Sequence, residues 1–117
     1  MDVVVTVPKS FGLQRWIDEG DAAGEPWSGR HWAFYLGATP NILPGERVYV
    51  VCDGKLRGYA PLVQVKTRDL SRCAECALIR GGGAVAVTIP ENIVGFQGFR
   101  YRWWDYADEI PFEDWMK

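Results

Sequence analysis

Aromatic rings and guanidinium groups are concentrated in one short stretch of the chain, Phe99-Arg100-Tyr101-Arg102-Trp103-Trp104. In a strand, alternate side chains point to opposite faces, so three rings would share one face, with Arg100 and Arg102 beside Trp104 on the other. Nucleobases stack on indole rings and guanidinium planes, and guanidinium groups also bind phosphates. This stretch predicts a strand with a packed inner face and an outer face for a planar or anionic ligand. A packed strand with solvated arginines is the structural alternative.

A second group of candidate binding residues lies in a loop and in the strand predicted after it. The loop is rich in glycine and proline and contains Trp27, followed by Arg30. An exposed tryptophan is rarely placed in such a loop without a partner. We interpret Trp27 and Arg30 as the mouth of a pocket or, alternatively, Trp27 as a plug at one end of a barrel. The next predicted strand, His31 to Leu36, adds Trp32 and Tyr35 as candidate stacking rings.

The three cysteines and the single histidine are candidate metal ligands. Cys73 and Cys76 form a C-x-x-C pair, and Cys52 with His31 could complete a set of four zinc ligands. A structural zinc site normally draws its ligands from two compact pairs, whereas Cys52 and His31 are isolated in predicted strands. We therefore predict no metal and no cofactor.

Length and composition predict one ordered domain over residues 1–117, since a chain of 117 residues can bury its own core. Apolar residues make up 48% and charged residues 24%, which is ordinary for a globular protein. The sequence contains neither a stretch typical of a membrane span nor a secretory signal pattern. Three cysteines, an odd number, fit a reducing compartment better than a disulfide framework. These features predict a cytoplasmic protein.

The net charge of −2 argues against nucleic-acid binding through bulk electrostatics alone. Residues Asp105 to Lys117 hold five of the 15 acids and one of the 13 bases, which leaves ten acids and twelve bases, a charge of +2, in the rest of the chain. The acidic segment 105–117 is predicted to dock on the body of the domain through Phe112 and Trp115. Any anion-binding surface is therefore expected in the body.

Local patterns predict the elements that must position these residues. Val3 to Val7 is a β-branched run typical of a short buried strand. Ser10 offers an N-cap, and Gly20 a stop, to a helix of about ten residues. The polar stretch from Lys66 to Arg72 predicts a loop, and a weaker strand is predicted near Ala77 to Arg80.

The strongest local signal is a hairpin around Asp53-Gly54, with strands from Arg47 to Cys52 and from Lys55 to Val65. Asp-Gly suits the two positive-φ positions of a two-residue type I′ turn. Such a turn predicts the cross-strand pairs Cys52 with Lys55, Val51 with Leu56, and Tyr49 with Gly58. The apolar residues would then occupy both faces, Val48, Val50 and Tyr59 on one and Tyr49, Val51 and Leu56 on the other. Because neither face is then fully solvated, a curled sheet or barrel is favoured over a flat sheet.

The C-terminal half predicts a further strand from Ala84 to Ile89, with Val85, Val87 and Ile89 facing inward. A turn or short helix is predicted from Glu91 to Val94, before the aromatic strand. The complete pattern predicts an α+β fold, a small mostly antiparallel β-barrel with one or two short helices.

The element order, together with three short motifs, resembles the PUA-like superfamily of small β-barrels, which includes the ASCH and EVE domains. Pro26-Trp27-Ser28-Gly29-Arg30 is similar to the tryptophan-glycine turn that enters the second strand of EVE-type domains. The hairpin from Pro44 to Ala60 is similar to their strand pair entered and returned through glycine, and Phe99 to Trp104 resembles their closing strand. The sequence lacks the G-x-K-x-x-E-x-R signature of ASCH domains, although Lys55 stands near a comparable hairpin position.

This resemblance implies a pocket that accepts a nucleobase, including a modified one, stacked between aromatic rings. The leading interpretation is a non-enzymatic module that binds a nucleobase, a nucleotide or a single-stranded or flipped segment of nucleic acid such as RNA. Its candidate ligand-binding residues are Trp27, Arg30, Trp32, Tyr35, Arg100, Arg102 and Trp104. One alternative is an ASCH-like hydrolase acting on RNA or a modified nucleoside, in which Lys55 assists an acid such as Glu46. Another alternative is a protein-protein interaction domain.

Overall fold

The computed structural model describes residues 1–7, 33–69, 74–80 and 85–111. The helix expected between Ser10 and Gly20, and the end of the acidic segment with Phe112 and Trp115, lie outside these residues. The described part is built from strands, with one 3₁₀ turn at Tyr106–Asp108. The strands are β1 (Val3–Thr6), β2 (Ala33–Leu36), β3 (Arg47–Cys52), β4 (Lys55–Asp69), β5 (Ala74–Arg80), β6 (Val87–Thr88), β7 (Phe99–Tyr101) and β8 (Ile110–Pro111).

Six of these strands form one curled, half-barrel sheet in the order β2-β5-β4-β3-β1-β7. β1 runs parallel to β3, and the other pairings of this sheet are antiparallel. β6 and β8 form a separate antiparallel pair. The expectation of a small, mostly antiparallel, barrel-like sheet is thus confirmed in its coarse form.

The curl of the sheet originates in β4, which is 15 residues long. Its first part pairs with β3 as far as Pro61, and its second part pairs with β5 from Leu62 onward. The register shifts at two places, where Arg57 and Val63 are the extra residues on β4. Bulges of this kind bend a strand and increase its twist, so one strand can serve both halves of the sheet.

The predicted β3–β4 hairpin is present with its predicted turn. Asp53 and Gly54 have φ values of 54° and 81°, as a type I′ turn requires. Cys52 pairs with Lys55, and Val51 with Leu56, as expected.

The next predicted pair of this hairpin, Tyr49 with Gly58, is wrong. Gly58 pairs with Val50 and Tyr49 with Tyr59, because the bulge at Arg57 adds one residue to β4. Tyr59 therefore changes face and lies with Tyr49, at a ring separation of 5.2 Å, instead of with Val48 and Val50.

The surface over Gly58 is covered by the backbone of Val85. Gly58 has a φ of 153°, and a Cβ at this position would lie 2.4 Å from the carbonyl oxygen of Val85. Next to it, Tyr59 and Val85 exchange backbone hydrogen bonds of 3.0 and 2.8 Å. A glycine is therefore required here both by the backbone conformation and by the close approach of residue 85.

Three other segments differ from the sequence prediction. Lys66 to Asp69, expected in a loop, continue β4, because the ladder with β5 satisfies their backbone groups despite their polar side chains. In the described part of the segment predicted from Ala84 to Ile89, which begins at Val85, only Val87–Thr88 forms a strand, and Val85 is exposed while Ile89 is buried. Glu91 to Val94 form no helix, and Ile93 N–H instead donates to the Gly54 carbonyl at 2.9 Å.

The sheet buries apolar side chains on both faces, as the hairpin pattern predicts. The first cluster contains, among others, Val3, Val5, Val48, Val50, Leu62 and Leu78. The second cluster contains Val4, Tyr49, Val51, Leu56, Ile89, Ile93 and Trp104. Within the described ranges, no helix combines the length and the apolar composition needed to cross a membrane.

Candidate functional site

The aromatic stretch divides its side chains between the core and the surface. β7 ends at Tyr101, so the alternation predicted as far as Trp104 stops three residues early. Phe99 packs against the first cluster and contacts Tyr101 edge to face at 5.4 Å. Trp104 is buried in the second cluster at 7% exposure, whereas Trp103 remains 41% exposed with its ring centre 5.0 Å from that of Trp104.

Asp2 joins the start of β1 to the segment that follows β7. Its carboxylate accepts hydrogen bonds from the backbone N–H of Arg47 at 2.8 Å, from Arg102 Nε at 3.1 Å and from the hydroxyl of Tyr106 at 2.6 Å. Arg102 also donates through Nη1 to the carbonyl of Trp104. Arg102 is therefore held by an internal carboxylate and a backbone carbonyl.

Arginine and tyrosine planes are layered at this end of the sheet. The guanidinium of Arg47 lies 4.1 Å from the ring centre of Tyr59 and 4.4 Å from that of Tyr106. Arg102 lies over the same Tyr106 ring at 4.2 Å. Each contact is a cation–π interaction that stabilises by about 0.5–1 kcal/mol at an exposed position and by more where water is excluded.

Glu109 is the second carboxylate of the site, and three side-chain donors converge on it. Arg47 Nη1 donates to Oε1 at 3.0 Å, and Trp104 Nε1 donates to Oε2 at 2.9 Å. The hydroxyl of Tyr49 also donates to Oε2. Glu109 therefore attaches the segment after β7 to β3, which carries both Arg47 and Tyr49.

The electrostatics follow from this pairing. Burial alone would raise the pKa of the Asp2 carboxyl, but its hydrogen bonds with Tyr106, Arg47 and Arg102 outweigh burial and hold the pKa below its ordinary value. Burial, followed by the bond to Glu109, raises the pKa of Tyr49 well above the usual tyrosine range. The bond to Asp2 likewise raises the pKa of Tyr106. At neutral pH these tyrosines are therefore hydrogen-bond donors to carboxylates.

Arg100, Arg102 and Trp104, the three described candidates of the aromatic strand, occupy different environments. Arg100 is exposed, with its guanidinium 4.6 Å from the ring centre of Phe96. Arg102 and Trp104 belong instead to the internal network, in which two arginines face two carboxylates. This network stabilises the fold locally, and it leaves Arg100 and Trp103 as the groups of this stretch that meet solvent most directly.

The remaining binding candidates lie outside the description. Trp27, Arg30 and Trp32 fall outside the described residues, and Tyr35 is placed in β2 without a described side chain. Their predicted convergence with Arg100 and Trp104 on one pocket stays a prediction.

The structure does not bring together the pair named for the hydrolase alternative. Glu46 precedes the first residue of β3, whereas Lys55 pairs with Cys52, which is the last residue of β3. At about 3.3 Å per residue this separates the two backbones by roughly 20 Å. Glu46 is bound instead to the amino group of Met1 at 2.6 Å and to Leu43 N–H at 2.8 Å. A catalytic Lys55 would need another acid.

Of the residues weighed as zinc ligands, Cys52 and Cys76 are described and buried, and Cys76 Sγ lies 3.5 Å from the Ala38 carbonyl oxygen. His31 and Cys73 lie outside the description. In the part of the chain that is described, no three side chains of His, Cys, Asp or Glu are grouped so that they could hold a metal ion.

Sequence reasoning missed the residues that organise this site, Asp2, Arg47, Tyr49 and Glu109. Arg47 and Tyr49 alternate on β3, so their shared face could have been read from the strand period. Asp2 carried no local signal, because its side-chain partners lie between 45 and 104 residues away in sequence. Glu109 has a near partner in Trp104, but its partners on β3 lie 60 and 62 residues away.

Comparison with known proteins finds no family model, no curated protein and no solved structure that matches this chain.

Proposed function

We propose that this protein is a non-enzymatic binding module for a nucleobase, a nucleotide or a single-stranded segment of nucleic acid. The observation that carries the proposal is the surface formed after β7, where Trp103 is 41% and Tyr106 is 52% exposed. Arg100, on β7 itself, is exposed as well. Exposed large rings and an exposed arginine in one short segment offer the stacking and the positive charge that such ligands need.

The layered planes at Tyr106 support the same chemistry. Its ring already accepts Arg47 and Arg102 on the ring faces, at 4.4 and 4.2 Å. Trp103 is oriented by its indole N–H, which lies 3.3 Å from both carboxylate oxygens of Glu91. A ring held in this way loses little freedom when a base stacks on it, and such stacking contributes about 1–3 kcal/mol per base.

The proposal assigns the main stacking role to Trp103, because Trp104 is buried and its N–H is bound to Glu109. Arg102 becomes a positioning residue through Asp2, and Arg100 is the phosphate or base-edge partner. Trp27, Arg30, Trp32 and Tyr35 remain proposed partners of the same ligand. The curled sheet and the β3–β4 hairpin support the further proposal that the barrel is PUA-like.

A fluorescence titration with a short oligothymidylate at low salt tests this function. Trp103→Ala should weaken binding by about 5- to 150-fold, which corresponds to the loss of one stacked base. Arg100→Ala should weaken binding and reduce the slope of log affinity against log salt by about 0.7, as expected for one lost phosphate contact on a single strand.

Two exposed residues elsewhere provide matched controls. Leu43→Ala removes an apolar side chain that is 65% exposed in the loop before β3, and Lys55→Ala removes a positive charge near the hairpin turn. Both variants should bind like the wild type. If Trp103→Ala and Leu43→Ala bind the oligonucleotide equally well, the surface after β7 is not the binding site. A wild type that binds none would refute nucleic-acid binding itself.

A further inference from the structure

Residues 105–111 form a surface strap from which only one side chain is largely buried. Of its seven residues, six are exposed, and Glu109 is the exception, with a side chain only 7% exposed. The 3₁₀ turn contributes no buried residue, and β8 pairs with β6 over two residues. Tyr106 adds the hydrogen bond to Asp2 from the outer surface.

The group that this strap inserts is an anion and not an apolar side chain. Arg47, Tyr49 and Trp104, which we call the Glu109 cradle, direct a guanidinium N–H, a hydroxyl and an indole N–H at one carboxylate. None of these donors belongs to the strap. Arg47 and Tyr49 belong to β3, and Trp104 is the last residue before the strap.

Taking a carboxylate out of water is unfavourable by several kcal/mol unless donors compensate it closely. An apolar residue at position 109 would attach the strap to the neighbouring second cluster without that penalty. Convergent charged and neutral donors around an oxyanion are instead the arrangement of a bound anionic ligand, and the planar fork of arginine suits carboxylate and phosphate alike. The Arg47 side chain is 31% exposed, so the cradle borders solvent on that side.

We propose that the Glu109 cradle is a phosphoryl-binding site, and that Glu109 occupies it as an internal competitor which a phosphate-bearing ligand displaces. This inference rests on the proposed function, since it names where the ligand phosphate binds. The cradle adjoins the proposed stacking surface, because Trp104 contacts Trp103 at 5.0 Å. A terminal phosphate presents three oxygens to the three donors and carries more charge than the carboxylate that it replaces.

Calorimetric titration with inorganic pyrophosphate at fixed ionic strength tests the cradle without any base. Glu109→Ala empties the cradle and should bind pyrophosphate at least tenfold more tightly than the wild type. Asp108→Ala removes the same charge from an exposed neighbouring position of the strap, and its affinity should change less than twofold. Equal gains in the two variants, or no gain in Glu109→Ala, would overturn the proposal.

Glu109→Gln guards against loss of folding in the alanine variant. It can keep hydrogen bonds with Tyr49 and Trp104 but lacks the charge that pairs with Arg47. Its gain in pyrophosphate affinity should be smaller than that of Glu109→Ala and in the same direction, and a folded Glu109→Gln protein without a gain would again count against the cradle.

The outcome also separates this inference from the proposed function. A pyrophosphate gain in Glu109→Ala, with no oligothymidylate binding by the wild type, retains the phosphoryl site and rejects nucleic-acid binding. Oligothymidylate binding that is lost in Trp103→Ala, with no pyrophosphate gain in Glu109→Ala, retains the stacking surface and rejects the cradle.

Discussion

Gly58→Ala should be among the most damaging substitutions in the chain, although it adds only one methyl group. Its Cβ would lie 2.4 Å from the carbonyl oxygen of Val85, whereas carbon–oxygen contacts are normally about 3.3 Å or longer. Either β4 or the segment with Val85 must then move by nearly an ångström.

The expected loss of stability has two parts. A φ of 153° is a conformation that side-chain-bearing residues rarely adopt, and holding alanine there costs about 1–3 kcal/mol. Separating the chains also weakens the pair of hydrogen bonds between Tyr59 and Val85, each contributing about 0.5–1.5 kcal/mol. Together these effects predict a loss of roughly 2–6 kcal/mol in the free energy of unfolding.

Urea unfolding followed by circular dichroism measures this loss, and two other glycines separate its causes. Gly98→Ala places alanine at a φ of 74° with open space around its Cβ, so it should cost about 1–2 kcal/mol from conformation alone. Gly37→Ala has open space and no positive φ, and should change stability by less than about 0.5 kcal/mol. If Gly58→Ala costs no more than Gly98→Ala, the approach of Val85 does not explain this glycine.

Three further predictions concern the charged network and the core. Asp2→Asn should lower the free energy of unfolding by about 1–3 kcal/mol at pH 7. Because the pKa of Asp2 is lowered in the folded protein, urea titrations should show that the wild type loses this advantage as the pH falls below about 4. Equal acid sensitivity of both proteins would contradict the pairing. Tyr49→Phe should lower the free energy of unfolding by about 1–3 kcal/mol at neutral pH. Because the folded pKa of Tyr49 is raised, this stabilisation is complete below about pH 10 and is lost above it, so alkaline unfolding should be less steep in the variant than in the wild type. Leu56→Ala, in the second cluster, should lower the free energy of unfolding by about 2–5 kcal/mol, whereas the exposed Leu43→Ala should lower it by less than about 0.5 kcal/mol. Similar urea midpoints for the two variants would argue against the assigned core.

Sequence patterns correctly predicted the elements whose conformation depends mainly on residues that are neighbours in the chain. Asp53-Gly54 identifies its hairpin because only a few residue types tolerate two successive positive φ values. The β-branched run of β1 predicts a buried strand for a similar reason. The apolar residues on both faces of β3 also indicated correctly that the sheet is covered on both sides.

The errors arose where distant segments decide the geometry. No residue type marks Arg57 as the extra residue of a bulge, and the close approach of Val85 to the neighbouring Gly58 comes from a distant part of the chain. The face of Tyr59 was assigned wrongly, because the bulge adds one residue to β4 before it. The charged network is equally non-local, since Glu109 contacts β3 from about 60 residues away.

The position of β1 between β3 and β7 has a consequence for synthesis on the ribosome. Val5 pairs with Val50 on one side and with Phe99 on the other, so its second neighbour is translated 94 residues after it. At about 5–20 residues per second this leaves one edge of a valine-rich strand uncovered for roughly 5–20 s. Nascent chains of this protein should therefore be targets for chaperones that hold extended apolar segments until the last strand of the large sheet emerges.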